Sequence, residues 1–286
     1  MNKTLTFILA LLTLSVLGQK NPTELAQLVV AEGKLLYKSE MASWFGTDIF
    51  LEHFKDRAKI GGYFSYTDNG IAKCVFFSKA SEPKVIGTIS FDSTYDTRIA
   101  EIDLFERDFS NNEHDLYEIR RLALNEIQTD TLFKTYSNTN LNLIPLINGN
   151  EKKVYVLTGP QQTGVVIFGN DYLLTFNSEN KLLHKKQLHK NIIPIYYGEK
   201  VADGEQVEAT FHNHLPETGD FITATDICTL MLYEKAAKWK SHNVVSEKYL
   251  NIWDCEKDEL NVISMDVIKK INKDQDKRKK KKAKDE

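Results

Sequence analysis

The sequence predicts an α+β protein, and three observations support that prediction. Three segments carry apolar residues at helical spacing. Between them lie short runs of β-branched and aromatic residues, separated by Gly, Pro, Asn and Asp, which is typical of antiparallel strands. The chain has 286 residues, of which 42% are hydrophobic and 27% charged, so it can bury a core. This composition excludes a wholly disordered, collagen-like or coiled-coil protein.

The N-terminus has the pattern of a secretory signal peptide. Lys3 gives a positive start, residues 5–17 form a mostly apolar run, and Gly18 suits a cleavage site. The run is shorter than a membrane-spanning helix needs, although an uncleaved anchor is the alternative. We therefore predict a signal peptide over residues 1–18 and a secreted or periplasmic protein. No later segment reaches membrane length, so we expect no transmembrane segment in the mature chain.

The C-terminus is strongly basic, whereas the rest of the chain is acidic. Residues 269–286 contain ten Lys/Arg and four Asp/Glu, a net charge of +6. The chain as a whole carries −3, which leaves −9 for the other residues. Such a block of like charges predicts a solvated, disordered tail, with weak adhesion to an anionic surface as an alternative. Because no basic stripe runs through the body, we expect no nucleic-acid partner.

The first half of the mature chain, residues 19–149, is predicted as an α+β region of unassigned role. Helices are expected over 22–42, after the start signal Asn21-Pro22, and over 112–128, with antiparallel strands over 60–102 between them. The segment Ser43-Trp44-Phe45-Gly46-Thr47-Asp48 is interpreted as a helix end whose aromatic rings cap the core. A ligand groove is the alternative for this segment.

A second domain is predicted over residues 150–268, after the polar boundary at Asn148-Gly149-Asn150. It opens with a β-meander, in which Asn177-Ser178-Glu179-Asn180 predicts a hairpin turn. A helix is expected over 224–238. The predicted strands cover residues 153–157, 165–168, 172–176, 182–188, 207–211, 244–245, 249–253 and 260–263.

No cysteine pattern points to a disulfide scaffold or to a zinc finger. Cys74, Cys228 and Cys255 lack Cys-x-x-Cys spacing and allow at most one disulfide. We expect them to be partly buried apolar residues. The sequence also lacks a Gly-rich phosphate loop and a Gly-x-Ser-x-Gly elbow.

One local constellation predicts a metal site. On a strand, His212 and His214 point to the same side, so both imidazoles can face one ion. Thr223 and Asp226 form a capping-box pattern that places Asp226 in the first turn of the following helix. Two His and one carboxylate, with a fourth position open for water, are typical of catalytic zinc. The alternatives are a polar strand face and a plain helix cap.

This pattern resembles the JAMM metalloproteases and their RadC-like relatives. The resemblance implies that His212, His214 and Asp226 bind zinc and that Thr223 assists the reaction intermediate. His212-Asn213-His214 is similar to the RadC-like branch, although Leu215 intervenes before Pro216, and the loop ahead of Thr223 is one residue longer than usual. The resemblance covers about residues 150–265 and implies a JAMM-like meander with a helix after the His-x-His strand.

The upstream part of the family pattern resembles residues 160–169, but it places Gln162 where the family has its catalytic Glu. A neutral amide can hydrogen-bond a metal-bound water but cannot take its proton. Glu217, Glu208 and Asp171 are the candidate replacements for the missing general base. His184 and His189 lie five apart on a predicted strand, so they face opposite sides, and we predict both to be surface residues.

Three functions follow as alternatives. The first is a secreted zinc-dependent peptidase or isopeptidase that acts on a peptide or protein. The second is a catalytically degenerate JAMM-like module that binds a partner without cutting it. The third is a secreted interaction protein without metal. The substrate, the partner and the oligomeric state stay open at this point.

Overall fold

The computed structural model describes residues 21–198 and 206–285, and the predicted signal peptide over 1–18 lies outside them. The α+β class is confirmed, with helices and mostly antiparallel sheets. No helix of the described residues is long and apolar enough to cross a membrane. The strands are β1 (Ile60–Asp68), β2 (Ile71–Ser78), β3 (Val85–Phe91), β4 (Glu101–Asp103), β5 (Thr139–Asn148), β6 (Glu151–Pro160), β7 (Val165–Gly169), β8 (Tyr172–Phe176), β9 (Leu182–Gln187), β10 (Ile192–Tyr196), β11 (Ala209–Asn213), β12 (Ser241–Val245), β13 (Tyr249–Asp254) and β14 (Glu259–Ser264).

Helix α1 (Pro22–His53) begins as predicted and continues well beyond residue 42. The Asn21 side chain accepts a hydrogen bond from the Thr23 amide, and Pro22 occupies the first turn, where its missing N–H costs nothing. The extension is held by burial of Ile49 and Phe50 against the first sheet. The segment 43–48 therefore lies within the helix, and its assignment to a helix end is wrong.

The helices α2 (Asn111–Thr129) and α3 (Ala224–Ala237) match their predicted ranges to within one residue. Helix α4 (Met265–Asp285) covers most of the residues expected to form a solvated, disordered tail. Lys and Arg are good helix formers, and Asp266 and Asp274 each lie 3.9 Å from a lysine one turn on, which supports the helix.

The first sheet consists of β1 to β4 in chain order, and every neighbouring pair is antiparallel. Helix α1 packs on it, with the ring of Phe50 stacked 3.8 Å from that of Phe76. Cys74 is buried in the same cluster. All three cysteines are buried and free, which confirms their prediction as apolar core residues.

The second sheet has the order β5-β6-β8-β9 and is antiparallel throughout. The pair β5–β6 is a hairpin that runs across the predicted domain boundary, with Asn148 opposite Glu151. Helix α2 buries Ile119 and Ala123 against this sheet. The strands β7 and β10 form a separate antiparallel pair.

The third sheet has the order β11-β12-β13-β14, with a parallel first pair and two antiparallel pairs. Helix α3 makes the crossover between β11 and β12, which a parallel pair requires. Helix α1 packs closely on α3 at Gly33, where an added Cβ would lie 2.7 Å from the Ile227 side chain. This packing fixes α3, and its first turn therefore lies beside the end of β11.

Candidate metal site

Four buried side chains converge between β11, α3 and the end of β9. They are His189, His212, His214 and Asp226, and one ligand atom from each lies within 4.8 Å of the others. All four residues are less than a tenth exposed. The sequence predicted three of them as a group. The structure brings these three together and adds His189 as a fourth donor, and the group could hold a metal ion.

The two histidines of the His-x-His pair face inward because of strand alternation. Burial alternates along β11, and His212 is one of its two inward-facing residues. The His214 amide donates to the Val245 carbonyl at 2.8 Å, which continues the sheet pairing past the end of the strand. His214 is therefore held on the same side as His212, as predicted.

The donor atoms lie close enough together to surround one small ion. His214 Nε2 lies 3.1 Å from Asp226 Oδ2 and 3.3 Å from His189 Nε2. His189 Nε2 lies 3.6 Å from Asp226 Oδ2, and His212 Nε2 lies 3.6 Å from Asp226 Oδ1. Four ligands about 2.0–2.1 Å from zinc in a tetrahedron lie about 3.3–3.4 Å apart. The four distances, which involve both oxygens of Asp226, lie near that edge length, and all four donors lie within 4.8 Å of one another.

Asp226 is held by the cap of α3. The Thr223 amide and hydroxyl donate to Asp226 Oδ2 at 2.9 and 2.7 Å, and the Asp226 amide donates to Thr223 Oγ1 at 3.1 Å. Burial opposes ionisation of the carboxyl, but His189, His212 and His214 outweigh it and hold its pKa well below the usual range. Asp226 is thus an ionised, immobilised carboxylate at a helix N-terminus, which favours negative charge.

Two atoms at the centre of the cluster have no hydrogen-bond partner in the described chain. They are His212 Nε2 and Asp226 Oδ1, both fully buried. Buried polar atoms are nearly always paired, because leaving one unpaired costs about 1–3 kcal/mol. A lone pair on each atom directed at one cation would satisfy both, so these residues fit a metal. His214 Nδ1 is also buried without a partner in this part of the molecule.

The Asp171 carboxylate contacts the ring nitrogen of His189 that faces away from His214. His189 Nδ1 lies 3.3 Å from Asp171 Oδ2, and the Thr158 amide donates to Asp171 Oδ1 at 3.1 Å. The chain reaches Asp171 through Gly169 and Asn170, which both have positive φ, at 87° and 56°. A carboxylate that accepts from one ring nitrogen leaves the other free to bind metal and fixes the ring orientation.

His242 supports His212 in the same way. His212 Nδ1 lies 2.9 Å from His242 Nε2, and His242 Nδ1 lies 2.7 Å from Thr210 Oγ1. If His212 binds metal through Nε2, its Nδ1–H donates to His242, whose own Nδ1–H donates to the Thr210 hydroxyl. Phe168 covers this pair, with ring centres 4.7 Å from His242 and 5.3 Å from His212.

The imidazoles of β11 and β12 are held neutral. Burial lowers the pKa of His212 to about 4, against the attraction of Asp226, and lowers the pKa of His242 to about 3. Burial also opposes protonation of His189, but Asp226 and Asp171 outweigh it, so the pKa of His189 is raised. A metal needs neutral imidazoles, and His212 has that form over the whole physiological range.

The other sequence candidates lie away from the cluster. Gln162 is an exposed residue of the turn before β7, whereas Phe168, near the other end of that strand, is the part that contacts His212. Glu208 is exposed and lies 2.6 Å from Lys240. Glu217 is exposed and forms an ion pair with Lys190. Of the three candidate replacement bases, only Asp171 lies at the cluster.

The prediction that His189 is a surface residue is wrong, whereas His184 is exposed as predicted. Strand alternation did not apply to His189, because β9 ends at Gln187 and the chain turns inward after it. A signal was nevertheless present in the sequence. The predicted hairpin around residues 177–180 pairs Tyr172 with Gln187, which puts Asp171 next to the start of the segment that carries His189.

Comparison with protein-family models, with curated proteins and with solved structures finds no match to this chain.

Proposed function

We propose that this protein binds one zinc ion in a JAMM-like domain and works as a binding module that does not hydrolyse peptides. The observation that carries the proposal is the set of four buried donors within 4.8 Å of one another, from His189, His212, His214 and Asp226. The proposed metal is part of the domain's architecture, and the partner is a peptide or protein outside the cell membrane.

The chemistry of the donors favours zinc. Three imidazole nitrogens and one carboxylate oxygen suit Zn²⁺, whereas Mg²⁺ and Ca²⁺ take six or more oxygen ligands. Copper, nickel and cobalt compete for the same ligands, but a tetrahedral site favours zinc over the square-planar preference of Cu²⁺. The hydrogen bonds behind His189 and His212 fix both rings for binding through Nε2.

The count of ligands favours a non-catalytic role. Structural zinc has four protein ligands, whereas catalytic zinc keeps one position for water. Here His189 fills the fourth position. The family's general base is replaced by Gln162 in an exposed turn, and Asp171 is engaged by His189 and by the Thr158 amide. No free carboxylate of the described chain therefore accompanies the four ligands.

Metal analysis of the purified full-length protein tests the proposal. We expect one zinc per chain after dialysis, and a loss of bound zinc in both His212→Ala and His189→Ala. His184→Ala is the matched control, because His184 lies on β9 five residues before His189 but is exposed. Stoichiometric zinc in the control and none in the two variants is the expected result. Protein without zinc, even after zinc is supplied during refolding, would contradict the proposal.

Hydrolysis is the second candidate, and the hydrogen bond from His189 to Asp171 is the observation that favours it. An imidazole backed by a carboxylate is also the arrangement of an oriented general base. His212, His214 and Asp226 would then bind the metal, and His189 would take the proton of a bound water. Under this alternative His189→Ala keeps its zinc and loses peptidase activity. Under the proposal it loses zinc, and the parent has no activity to lose.

A further inference from the structure

A cavity separate from the metal cluster opens where α1, β1, β5 and α3 meet. Its volume is about 290 Å³. The side chains that matter most to its chemistry are three aromatic rings, Trp44, Tyr63 and Tyr233, and two carboxylates, Glu40 and Asp48. Tyr233 lies seven residues after Asp226 on α3, which is about 10 Å along the helix axis. The cavity thus has its own lining and shares no residue with the metal cluster.

One face of α1 supplies most of this lining. Glu40, Trp44 and Asp48 follow one another at intervals of four residues, so they lie in a row along the helix. The opposite side of the helix, with Ala42 and Phe50, is buried in the core. The Trp44 side chain therefore lies outside the buried core, and the residue is 55% exposed. The sequence segment 43–48, whose alternative interpretation was a ligand groove, forms one wall of the cavity.

Glu40 and both tyrosines line the same cavity. Burial, and next the charge of Glu40, raises the pKa of Tyr63 and raises that of Tyr233 to about 12. One oxygen of Glu40 accepts a hydrogen bond from Asn142 Nδ2 at 3.2 Å. Burial raises the pKa of Glu40 itself to about 7. A carboxylate in this setting gains from a cation that sits against it.

We propose that this cavity binds an organic ammonium group, either a methylated ammonium headgroup or a lysine-like primary amine. Aromatic rings attract a cation through their faces, and the attraction grows when the cation is partly desolvated. Three rings with Glu40 and Asp48 offer both that attraction and opposite charge. A volume of about 290 Å³ accommodates a headgroup of several heavy atoms.

Arg120 lies beside Tyr63, one of the lining residues, and it does not cancel the preference for a cation. Its guanidinium carbon lies 5.8 Å from the centre of the Tyr63 ring, and it lowers the pKa of Glu40 less than burial raises it. Arg120 is not part of the cavity lining, whereas both Glu40 and Asp48 are.

Binding of choline to the full-length protein tests the proposal, measured by a ligand-observed NMR titration. The comparison ligand is 3,3-dimethylbutan-1-ol, which has the shape of choline without its charge. We expect choline to bind at least about fivefold more tightly than the neutral alcohol, as a cation–π site requires. A second titration with n-butylammonium distinguishes the two sources. Tighter binding of choline indicates a methylated ammonium headgroup, and tighter binding of n-butylammonium indicates a lysine-like primary amine.

Variants then locate the site. Trp44→Ala is expected to weaken choline binding about fivefold or more, and Asp48→Asn to weaken it about twofold. Glu52→Gln is the matched control, because Glu52 is exposed on the same helix four residues after Asp48 and does not line the cavity. If Trp44→Ala fails to fold by circular dichroism, Asp48→Asn decides, because Asp48 is exposed and the change keeps its shape.

Equal binding of choline and its neutral analogue would overturn the proposal, and so would the absence of binding by both cations. Unchanged affinity in Asp48→Asn together with Trp44→Ala would overturn it as well. None of these measurements depends on zinc. If the cations do not bind, the proposed metal site is unaffected. If the protein does not bind zinc, the cavity can still be tested by the choline titration.

Discussion

The helices α2 and α3 begin with the same capping box, but the two buried carboxylates in these boxes have different partners. In α2, Ser110 and Glu113 cap each other, and Arg107 donates to both oxygens of Glu113 at 2.7 and 2.8 Å. In α3, Thr223 and Asp226 cap each other, and the partners of Asp226 are three imidazoles. One carboxylate oxygen of Asp226 has no hydrogen-bond partner in the described chain.

This difference shows how one local motif serves structure in one place and a site in another. Arg107 carries a permanent charge, so the ion pair with Glu113 is complete within the protein. His212 is neutral, because burial lowers its pKa to about 4. The charge of Asp226 is therefore balanced only in part by its neighbours. A metal cation among the imidazoles would complete the balance, which is the physical reason to regard only the second box as a candidate ligand site.

The largest effect is expected from Asp226→Asn. The change removes an anionic ligand, so we expect zinc affinity to fall about a hundredfold or more. Competition with a chromophoric chelator measures this. Glu113→Gln is the matched variant in the other capping box and is expected to keep the parent affinity. Equal zinc affinity in Asp226→Asn and the parent would rule out Asp226 as a ligand.

The next effect concerns stability and its dependence on pH. Glu113→Gln weakens charged hydrogen bonds, and we expect a loss of about 2 kcal/mol at pH 7 in zinc-free protein. Burial raises the pKa of Glu113, but Arg107 and Ser110 outweigh it and lower the value from 4.5 to about 2. The advantage of the parent is therefore complete above pH 4.5 and disappears as pH falls towards 2. Urea unfolding of both proteins at several pH values checks this, and a gap that widens in acid would contradict it.

A smaller effect is expected from Asp171→Asn. Asp171 acts on the metal only through His189, so zinc affinity should fall about tenfold, less than in Asp226→Asn. The same chelator competition provides the measurement. Glu208→Gln is the control, since Glu208 is an exposed carboxylate paired with Lys240 and should not affect zinc. A larger loss in Glu208→Gln than in Asp171→Asn would reverse the assignment of the supporting carboxylate.

The smallest effect comes from the caps themselves. Ser110→Ala and Thr223→Ala should each lower the stability of the zinc-free protein by about 1 kcal/mol, since each removes one helix cap. Only Thr223→Ala should also weaken zinc binding, because the Thr223 hydroxyl donates to Asp226 at 2.7 Å. Thermal unfolding in chelator, followed by zinc titration, separates the two effects. Equal zinc affinity in both variants would show that the cap of α3 does not position the ligand.

Local patterns predicted the parts of the site that are close in sequence. Strand alternation gave the shared face of His212 and His214, and the capping box gave the position of Asp226 in the first turn of α3. Both patterns act over four residues or fewer, where backbone geometry decides the outcome. The helix starts at residues 22, 111 and 224 were predictable to within one residue for the same reason.

The sequence prediction failed where local preference gave way to tertiary contact. Helix α1 continues past residue 42 because Ile49 and Phe50 are buried against the first sheet. His189 was placed on the surface, since its approach to His214 depends on how β9 and β11 are brought together. The family resemblance places the catalytic base at Gln162. This residue lies in the exposed turn before β7 and not at the cluster.

By itself the sequence determined the α+β class, the helices α1, α2 and α3, and three donor residues that local geometry directs to one point. Only the tertiary structure decided the fourth donor, the support of two imidazoles by Asp171 and His242, and the cavity that Trp44 shares with Tyr63 and Tyr233. The physical reason is the distance along the sequence over which each kind of interaction acts. Alternation and capping are fixed by neighbouring residues, whereas burial and the meeting of distant side chains depend on how sheets and helices pack.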